Sequence, residues 1–267
     1  MKISILGPRG TFSHEAALVY DKSARLLFEN TIYDVFDALD KGKADAALVP
    51  IENSTSGTVG ETLDALVDFD LVISRVIYLK VEHNLIGVKL DGIRKLYVHP
   101  QAHAQCRNYI RKNFSDAEII HTSSNAASAK LAGNDDEGAI APTIAAEIYG
   151  KNIIEKKVQD NGQNVTIFAV LKEAYGRSTG NDRTFVVFNC VDRPGILHEI
   201  LGVFAKRNVN LSKIESRPNK KKMGEYIFYV EFGGHPDDEN VKEILLELAK
   251  KVVFQKVLGA YPAGGVK

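Results

Sequence analysis

Four short segments of this sequence concentrate hydroxyl and amide side chains beside glycine, the residue types that hold an organic acid by hydrogen bonds. They are GPRGTFSHEAA (7–17), VPIENSTSGTV (49–59), TSSN (122–125) and DNGQNVTIF (160–168). Glycine allows a ligand to approach the backbone closely, and the free N–H groups in the first turn of a helix attract anions. Neither GxGxxG nor a Walker loop occurs in these segments, so they do not indicate nucleotide binding.

Taken singly, each segment also has a purely structural interpretation. Residues 7–17 are consistent with a turn followed by a helix that Ser13 caps, and residues 122–125 with an ordinary N-cap. Residues 160–168 fit a turn before a strand. The segment 49–59 is harder to explain in this way, because a cap needs one polar side chain and this loop carries five.

The elements around these segments predict an α/β fold with largely parallel sheets, because short apolar runs alternate with helical patterns through residue 171. Ligands of such sheets bind beyond the carboxyl ends of the strands, where we expect these segments to lie. Strands are predicted at 3–6, 46–51, 72–78, 85–88, 95–98, 118–120, 138–141 and 166–171, and helices at 13–20, 32–41, 101–113, 125–132 and 143–149.

A polar, glycine-marked stretch at 173–182 has the composition of a linker and precedes a second predicted domain. The order strand, helix, strand, strand, helix, strand is the ferredoxin-like βαββαβ arrangement. The predicted ranges are 183–190, 195–207, 210–217, 225–232, 237–251 and 253–260.

Composition argues against several classes of protein. Lys plus Arg and Asp plus Glu both number 34, so no net charge attracts nucleic acid or an acidic membrane surface. No apolar run reaches the roughly 20 residues that cross a bilayer, and residues 1–7 predict a strand instead of a signal peptide. The two cysteines, Cys106 and Cys190, make no disulfide framework, so we expect a cytoplasmic protein.

His99, His103 and Cys106 have the spacing of one helical face, which suggests a metal site. However, Pro100 places His99 at the end of the preceding strand, and no obvious acidic ligand lies near them in the sequence. We therefore expect no metal, and expect Cys106 to be a small buried apolar residue.

In their order along the chain, GPRGTFS, VPIENSTSGTVGETLD, HPQAHAQC, TSS and NGQNVTIF resemble the signature of prephenate dehydratases. Downstream, RPGILHEILGVFAKRNVNLSKIESRP is similar to the ACT regulatory domain that those enzymes carry. The resemblance covers essentially the whole chain. It implies a two-lobed, periplasmic-binding-protein-like catalytic domain at 1–176, with lobe one at 1–78 and 164–171 and lobe two at 79–163, followed by an ACT domain at 182–267.

The family converts prephenate to phenylpyruvate, losing CO2 and water, without a cofactor. The resemblance implies catalytic roles for Thr166, Asn53 and Ser54, with Thr166 as the principal donor to the leaving oxygen. A threonine is too weak an acid to give up its proton outright, so we expect partial donation in a preorganised polar site. The implied substrate-binding residues are Thr11, Glu52, Thr55, Gly57, Thr122, Ser123, Asn164 and Phe168.

One position departs from the family pattern, since the arginine that follows the threonine in relatives is Ile167 here. Strand alternation points residue 167 away from Thr166, so the side chain at 167 can be purely structural. Alternatively, this protein has an altered activity or substrate. In either case Arg9 and the helix N-termini are candidates to neutralise the substrate.

The ACT resemblance implies that phenylalanine binds between two such domains and inhibits, which requires a homodimer or homotetramer. The implied effector residues are Gly195, Ile196, Leu197, Asn210, Glu215 and Ser216. Three alternatives stay open: an ACT domain that only dimerises, an arogenate dehydratase, and a catalytically impaired amino-acid sensor. We expect a monofunctional chain, because all 267 residues are already assigned.

Overall fold

The computed structural model describes residues 1–219 and 226–265. Its first 172 residues contain β1 (Lys2–Leu6), α1 (Phe12–Tyr20), β2 (Arg25–Glu29), α2 (Ile32–Asp40), β3 (Ala46–Asn53), β4 (Gly57–Thr58), α3 (Gly60–Asp68), β5 (Val72–Lys80), β6 (Asn84–Gly87), β7 (Lys95–Val98), α4 (Pro100–Gln105), α5 (Arg107–Asn113), β8 (Glu118–His121), α6 (Asn125–Leu131), β9 (Glu137–Ala141), α7 (Thr143–Tyr149), β10 (Ile153–Glu155) and β11 (Val165–Lys172). The C-terminal domain contains β12 (Asp182–Asn189), α8 (Ile196–Ala205), β13 (Leu211–Pro218), β14 (Tyr226–Gly233), α9 (Glu239–Ala249) and β15 (Phe254–Pro262).

The predicted fold class is confirmed: the chain is α/β, with two lobes and a βαββαβ C-terminal domain. The first lobe has β1, β2, β3, β5 and β11 in one sheet, and the second lobe has a separate sheet in the order β10-β6-β9-β7-β8. The chain crosses between the lobes twice, after β5 and before β11. These crossings lie side by side, since Val81 N donates to Asn164 O at 2.9 Å and Val158 N donates to His83 O at 2.8 Å.

Every strand and helix named from the sequence is present, with shifts of one or two residues at most ends. The predicted helix at 101–113 is two helices, because the backbone at Cys106 leaves the helical region (φ −118°, ψ 21°). The sequence patterns missed β2, β4, α3 and β10. The predicted strand start at Glu225 lies outside the described residues.

The expectation of largely parallel sheets is wrong. β1 pairs in parallel with β2 and β3, but β11 runs antiparallel to both β3 and β5. In the second lobe β7 is parallel to β8 and β9, whereas β6 is antiparallel to β9 and β10. The strands flanking the two crossings supply these antiparallel pairs, since the chain leaves one lobe and returns to it.

The C-terminal domain continues the sheet of the first lobe. Among the described strands the order is β13-β14-β12-β15-β5-β11-β3-β1-β2, with β4 paired to β3, and β15 joins β5 at Gly259 and Ile73. One face of the C-terminal sheet packs on α8 and α9. The other face shares a hydrophobic core with the first lobe, in which Phe185 and Tyr229 pack with Leu63 and Leu66.

The strand junction at Gly259 leaves no room for a side chain. A Cβ atom there would lie 2.5 Å from the backbone oxygen of Ile73. We therefore expect Gly259→Ala to lower the free energy of unfolding by roughly 1–3 kcal/mol, as overpacking does elsewhere. Gly264→Ala is the matched control, because nothing lies within 4 Å of its Cβ position. Urea unfolding measures both variants, and equal midpoints would contradict the close junction.

Candidate active site

Asn53 and Thr166 are directly opposite each other in the antiparallel pair of β3 and β11. Asn53 Nδ2 donates to Thr166 Oγ1 at 2.9 Å and to Asn164 Oδ1 at 2.8 Å. Asn53 Oδ1 accepts from the backbone N–H groups of Thr55 and Ser56, which fixes the orientation of the amide. Because Thr166 Oγ1 accepts from Asn53, its own hydrogen remains available to donate.

Ser54 and Asn164 tie the loop after β3 to the start of β11. Ser54 Oγ accepts from Val165 N at 3.0 Å, and Ser54 N donates to Val165 O at 2.9 Å. Asn164 is 1% exposed, and its Nδ2 has no partner among the described residues. A buried amide donor without a partner costs free energy unless a ligand or a water molecule accepts its hydrogen bond. Ser54 therefore supports the loop, and Asn164 adds a donor that no described residue uses.

A cavity of about 40 Å³ lies between the lobes beside these residues. Such a volume holds only a few water molecules, so in this structure the cavity is too small for an organic acid the size of its expected substrate. Gln101 Nε2 of the second lobe donates to Ser56 Oγ of the first at 3.0 Å across this cleft. The walls are formed by Phe12, Asn53, Val81, His83, Gln101, Ala102, Gln105, Asn125 and Thr166.

Gly10 explains why residues 7–17 need glycine. It adopts φ +88°, and a Cβ atom there would lie 3.3 Å from both Ala126 Cβ and Ala145 Cα of the second lobe. The close approach that the sequence indicated is therefore to the other lobe. Gly10 allows the cleft to close.

Three helices begin at the cavity, since Phe12, Gln101 and Asn125 lie in the first turns of α1, α4 and α6. The N-cap of α1 is Thr11, which makes no side-chain cap bond. The expectation that Ser13 caps this helix is wrong, because Ser13 is a buried residue inside α1. The first-turn N–H groups of α1 are thus without a side-chain acceptor, and they favour an anion.

Two residues expected to bind substrate lie away from the cavity. Glu52 is on the opposite face of β3 from Asn53 and forms an ion pair with Lys213 of the C-terminal domain. Phe168 is 2% exposed and packs in the core under α1. Strand alternation places Glu52 on the domain interface, and burial leaves Phe168 no surface for a ligand.

Four other expected substrate-binding residues, Thr55, Gly57, Thr122 and Ser123, also do not line the small cavity. The backbone N–H of Thr55 donates to Asn53 Oδ1, and Gly57 adopts φ +79° at the turn into β4. Thr122 Oγ1 contacts Ser128 Oγ at 2.7 Å, and Ser123 is exposed. Asn125, in the same segment as these two residues, reaches the cavity instead.

Ile167 faces the C-terminal domain. It packs against the core shared by the two domains and borders a cavity of about 130 Å³ between them. Two carboxylates and two cations already line this cavity and pair with each other, Arg183 with Glu231 at 2.6 Å and Lys213 with Glu52. The geometry therefore favours a structural role at position 167, because an arginine there would add an unmatched charge outside the cleft.

The sequence patterns missed His83 and Gln105 as cavity residues, and they included Phe12 and Asn125 only as members of the segments 7–17 and 122–125. His83 is 1% exposed, and its Nε2 lies 2.8 Å from Gln105 Oε1. Burial lowers the pKa of His83, which keeps the imidazole neutral. The motif HPQAHAQC contains Gln105, but nothing in the motif indicates that His83, on a segment that crosses between the lobes, borders the same cavity.

The histidines near α4 form a pair, with His103 Nδ1 and His121 Nε2 3.0 Å apart. His99 is the N-cap of α4, as Pro100 indicated. Cys106 is fully buried, and burial raises the pKa of its thiol to about 12, which confirms it as an inert apolar residue. Across residues 1–219 and 226–265, no group of three His, Cys, Asp or Glu side chains could hold a metal ion.

The expected effector residues lie on two elements of the C-terminal domain. Gly195, with φ +84°, is the N-cap of α8, and Ile196 and Leu197 form its first turn. On β13, Glu215 accepts a hydrogen bond from Thr58 Oγ1 of the first lobe. The remaining two residues, Asn210 and Ser216, are exposed.

Glu15 of α1 borders a larger cavity between the lobes, of about 510 Å³. Burial, with smaller effects of Glu82 and Glu147, raises the pKa of Glu15 from 4.5 to about 6. A raised carboxyl pKa stabilises the folded protein below pH 4.5, and this stability is lost as the pH rises through 6.

We therefore expect Glu15→Gln to increase the free energy of unfolding at pH 7.5 by roughly 1 kcal/mol, allowing for partial exposure of the carboxyl. The gain should disappear as the pH falls from 6 to 4.5. Thermal unfolding across this range measures it, with Glu118→Gln on the exposed face of β8 as the control. A gain that does not depend on pH would contradict the raised pKa.

Comparison with known proteins assigns the two regions. The sequence profile described as prephenate dehydratase matches residues 3–175, and the profile described as ACT domain matches residues 184–250. The bifunctional chorismate mutase/prephenate dehydratase of Aquifex aeolicus is 39% identical over 98% of this chain and 74% of its own length. The prephenate dehydratase of Methanocaldococcus jannaschii is 38% identical over 96% of both chains.

A solved structure supports the same assignment. The prephenate dehydratase from Arthrobacter aurescens in complex with L-Phe has a TM-score of 0.88 and 36% identity, covering 98% of this chain and 90% of that one. None of the helices in the described part of the chain is long and apolar enough to cross a membrane. With both profiles matched in order over one continuous fold, the chain belongs to the prephenate dehydratase family and carries a C-terminal ACT domain.

Proposed function

We propose that this protein converts prephenate to phenylpyruvate, CO2 and water in the cleft between its two lobes, and that phenylalanine bound to the ACT domain inhibits the reaction. The observation that carries the proposal is the Asn53–Thr166 hydrogen bond. It leaves the threonine hydroxyl as a donor at a nearly buried position beside the small cavity between the lobes. Such sites strengthen hydrogen bonds to charge that develops during a reaction.

The reaction needs little acid–base chemistry from the protein. The electron pair of the bond to the ring carboxylate moves into the ring as CO2 leaves, and the C–O bond to the ring hydroxyl breaks, so the ring becomes aromatic. Thr166 donates a hydrogen bond to the departing oxygen and keeps its own proton. The hydroxide released takes its proton from solvent.

Neutral donors hold the two substrate carboxylates in this proposal. The side chains around the small cavity carry no lysine or arginine within the described part of the chain. The unused donors are the first-turn N–H groups of α1 and the buried Nδ2 of Asn164. Both become stronger when the cleft excludes water. Ile167 faces the ACT domain, so an arginine at that position is not needed for substrate charge.

Loss of the hydroxyl at position 166 should lower kcat. We expect Thr166→Val to reduce kcat by about 100-fold, since one lost donor to a developing oxyanion costs that much in other enzymes. Thr166→Ser keeps the hydroxyl and should stay within about tenfold of the wild type. Steady-state assays measure both variants, with circular dichroism as the folding control. Near-normal turnover in a folded Thr166→Val protein would remove Thr166 from the mechanism.

A direct assay tests the function itself. The purified protein is mixed with prephenate, and phenylpyruvate is followed by its absorbance in alkali. Arogenate serves as a second substrate, although the matched family and the relative from Methanocaldococcus jannaschii are both described as prephenate dehydratases. Phenylalanine binding without turnover of either substrate would instead favour the amino-acid sensor.

Regulation is proposed to pass through the contacts between β13 and the segment that follows Asn53. Lys213 pairs with Glu52 and lies 3.0 Å from Thr58 Oγ1, and Glu215 also binds that hydroxyl. Glu52 is the residue next to Asn53. A shift of the ACT domain on effector binding therefore acts on the backbone that holds the catalytic pair, which gives phenylalanine a means of favouring one state of the cleft.

Removal of the Lys213 ammonium should weaken this coupling. We expect Lys213→Met to raise the phenylalanine concentration for half-inhibition by about 5- to 10-fold, with uninhibited kcat within about twofold of the wild type. Lys242→Met on the exposed face of α9 is the control, because within the described residues Lys242 pairs only with Glu239 of the same helix. Unchanged inhibition in Lys213→Met would exclude this contact from the regulation.

The oligomer is proposed to be a homodimer or homotetramer assembled through ACT domains. β13 is an edge strand of the described sheet, and its residue Ile214 is exposed. The relative from Arthrobacter aurescens was solved in complex with L-Phe, which supports an effector role beyond dimerisation. We also propose a cytoplasmic location, supported by the two cysteines, neither of which forms a disulfide.

A further inference from the structure

His83 is a buried imidazole beside Thr166 that the proposed mechanism does not use. It lies on the crossing between β5 and β6 and borders the same small cavity as Thr166. Its backbone is held on both sides, since its N–H donates to Gln159 Oε1 at 3.0 Å and its carbonyl accepts from Val158 N at 2.8 Å. The residue therefore stays at the pivot of the lobes as the cleft opens and closes.

The contacts of the His83 ring determine which of its nitrogens can donate a hydrogen bond and which can accept one. Nε2 lies 2.8 Å from Gln105 Oε1, an acceptor, so Nε2 carries the hydrogen of the neutral imidazole. Nδ1 is then a free lone pair. The Phe12 ring packs against the imidazole edge to face at 5.4 Å, which restrains rotation of the ring. His83 thus presents a fixed acceptor.

This acceptor has no partner among the residues that the structure describes. His83 is 1% exposed, and its buried Nδ1 makes no hydrogen bond to any of them. A buried, unsatisfied polar atom costs free energy, and a ligand that donates a hydrogen bond to it recovers that free energy. Burial also lowers the pKa of His83, with a smaller effect of His99, so the lone pair is retained at neutral pH. The cavity therefore contains an acceptor to which a ligand can donate a hydrogen bond.

Given the proposed function, prephenate supplies one matching group. Both of its carboxylates are ionised at neutral pH, so its ring hydroxyl carries the one hydrogen that it can donate. We propose that His83 Nδ1 accepts the hydrogen bond of this hydroxyl and thereby orients the oxygen so that Thr166 donates to it. No proton is transferred to the imidazole. In this proposal His83 is a substrate-binding residue. It favours ligands that carry the ring hydroxyl, and it orients that hydroxyl.

The test uses two unreactive ligands whose ring is saturated, so that neither can become aromatic. One retains the hydroxyl of prephenate and the other has hydrogen in its place. Calorimetry measures the dissociation constants of both ligands with the wild type, His83→Leu and His83→Asn. Leucine removes the acceptor, whereas the amide oxygen of asparagine occupies the approximate position of Nδ1. Melting temperatures show that each variant is folded.

We expect the wild type to bind the hydroxylated ligand about tenfold more tightly than the other, as one buried hydrogen bond predicts. His83→Asn should keep most of this preference. His83→Leu should lose it while binding the ligand without the hydroxyl within about twofold of the wild type, and its kcat/KM for prephenate should fall by about 10- to 100-fold. Equal weakening of both ligands would indicate a merely structural role and overturn the proposal.

Asn125 provides the matched comparison, because its Oδ1 is the other unpartnered acceptor at the cavity. Loss of the hydroxyl preference in Asn125→Ala with its retention in His83→Leu would assign the contact to Asn125 and overturn the role of His83. The two hypotheses can also fail separately. A wild type that makes no phenylpyruvate contradicts the proposed function, whereas an active wild type matched by His83→Leu in kcat/KM contradicts this inference alone.

Discussion

The antiparallel pairing of β3 with β11 is the contact on which the rest of this structure depends. Successive side chains of a strand point to opposite faces, so the pairing of Asn53 with Thr166 directs both into the cleft and directs Glu52 and Ile167 toward the ACT domain. One pair of strands is therefore both a wall of the active site and the platform of the regulatory domain. A change of register by one residue would exchange the two sets of side chains.

This constraint explains how the protein tolerates isoleucine after its threonine. The proposed mechanism needs a donor at 166, and the domain interface needs a residue at 167 that suits its neighbours. Here the cation beside Glu52 comes from Lys213 on the ACT domain, so an apolar side chain completes the interface. In the proposed function, catalysis and regulation therefore depend on adjacent positions of one strand, whose side chains face opposite sides.

Local patterns were sufficient for most strands and helices, because each depends on residues close in sequence. The roles of Asn53 and Thr166 stay predictions, although the structure brings the two side chains together. The missed features depend on distant contacts. His83 becomes a cavity residue through Gln105 and Phe12, and Gly259 is required through Ile73. The sequence analysis assigned Glu52 to the substrate site because it followed the order of the motif. Strand alternation instead turns this side chain toward the ACT domain. The parallel-sheet expectation failed because alternation of strands and helices does not reveal where a chain crosses between lobes.

The position of β15 has a consequence for how the chain is made. This strand follows every other described strand in sequence, yet it lies inside the sheet, between β12 and β5. During synthesis the first lobe can assemble only with an open edge at β5, and Phe185 and Tyr229 can reach their shared core with it only as the ACT domain forms. A nascent chain that pauses before residue 254 exposes a strand edge and an apolar face, which are the features that chaperones and proteases recognise. The sheet shared by the two domains is therefore complete only after β15 has been made.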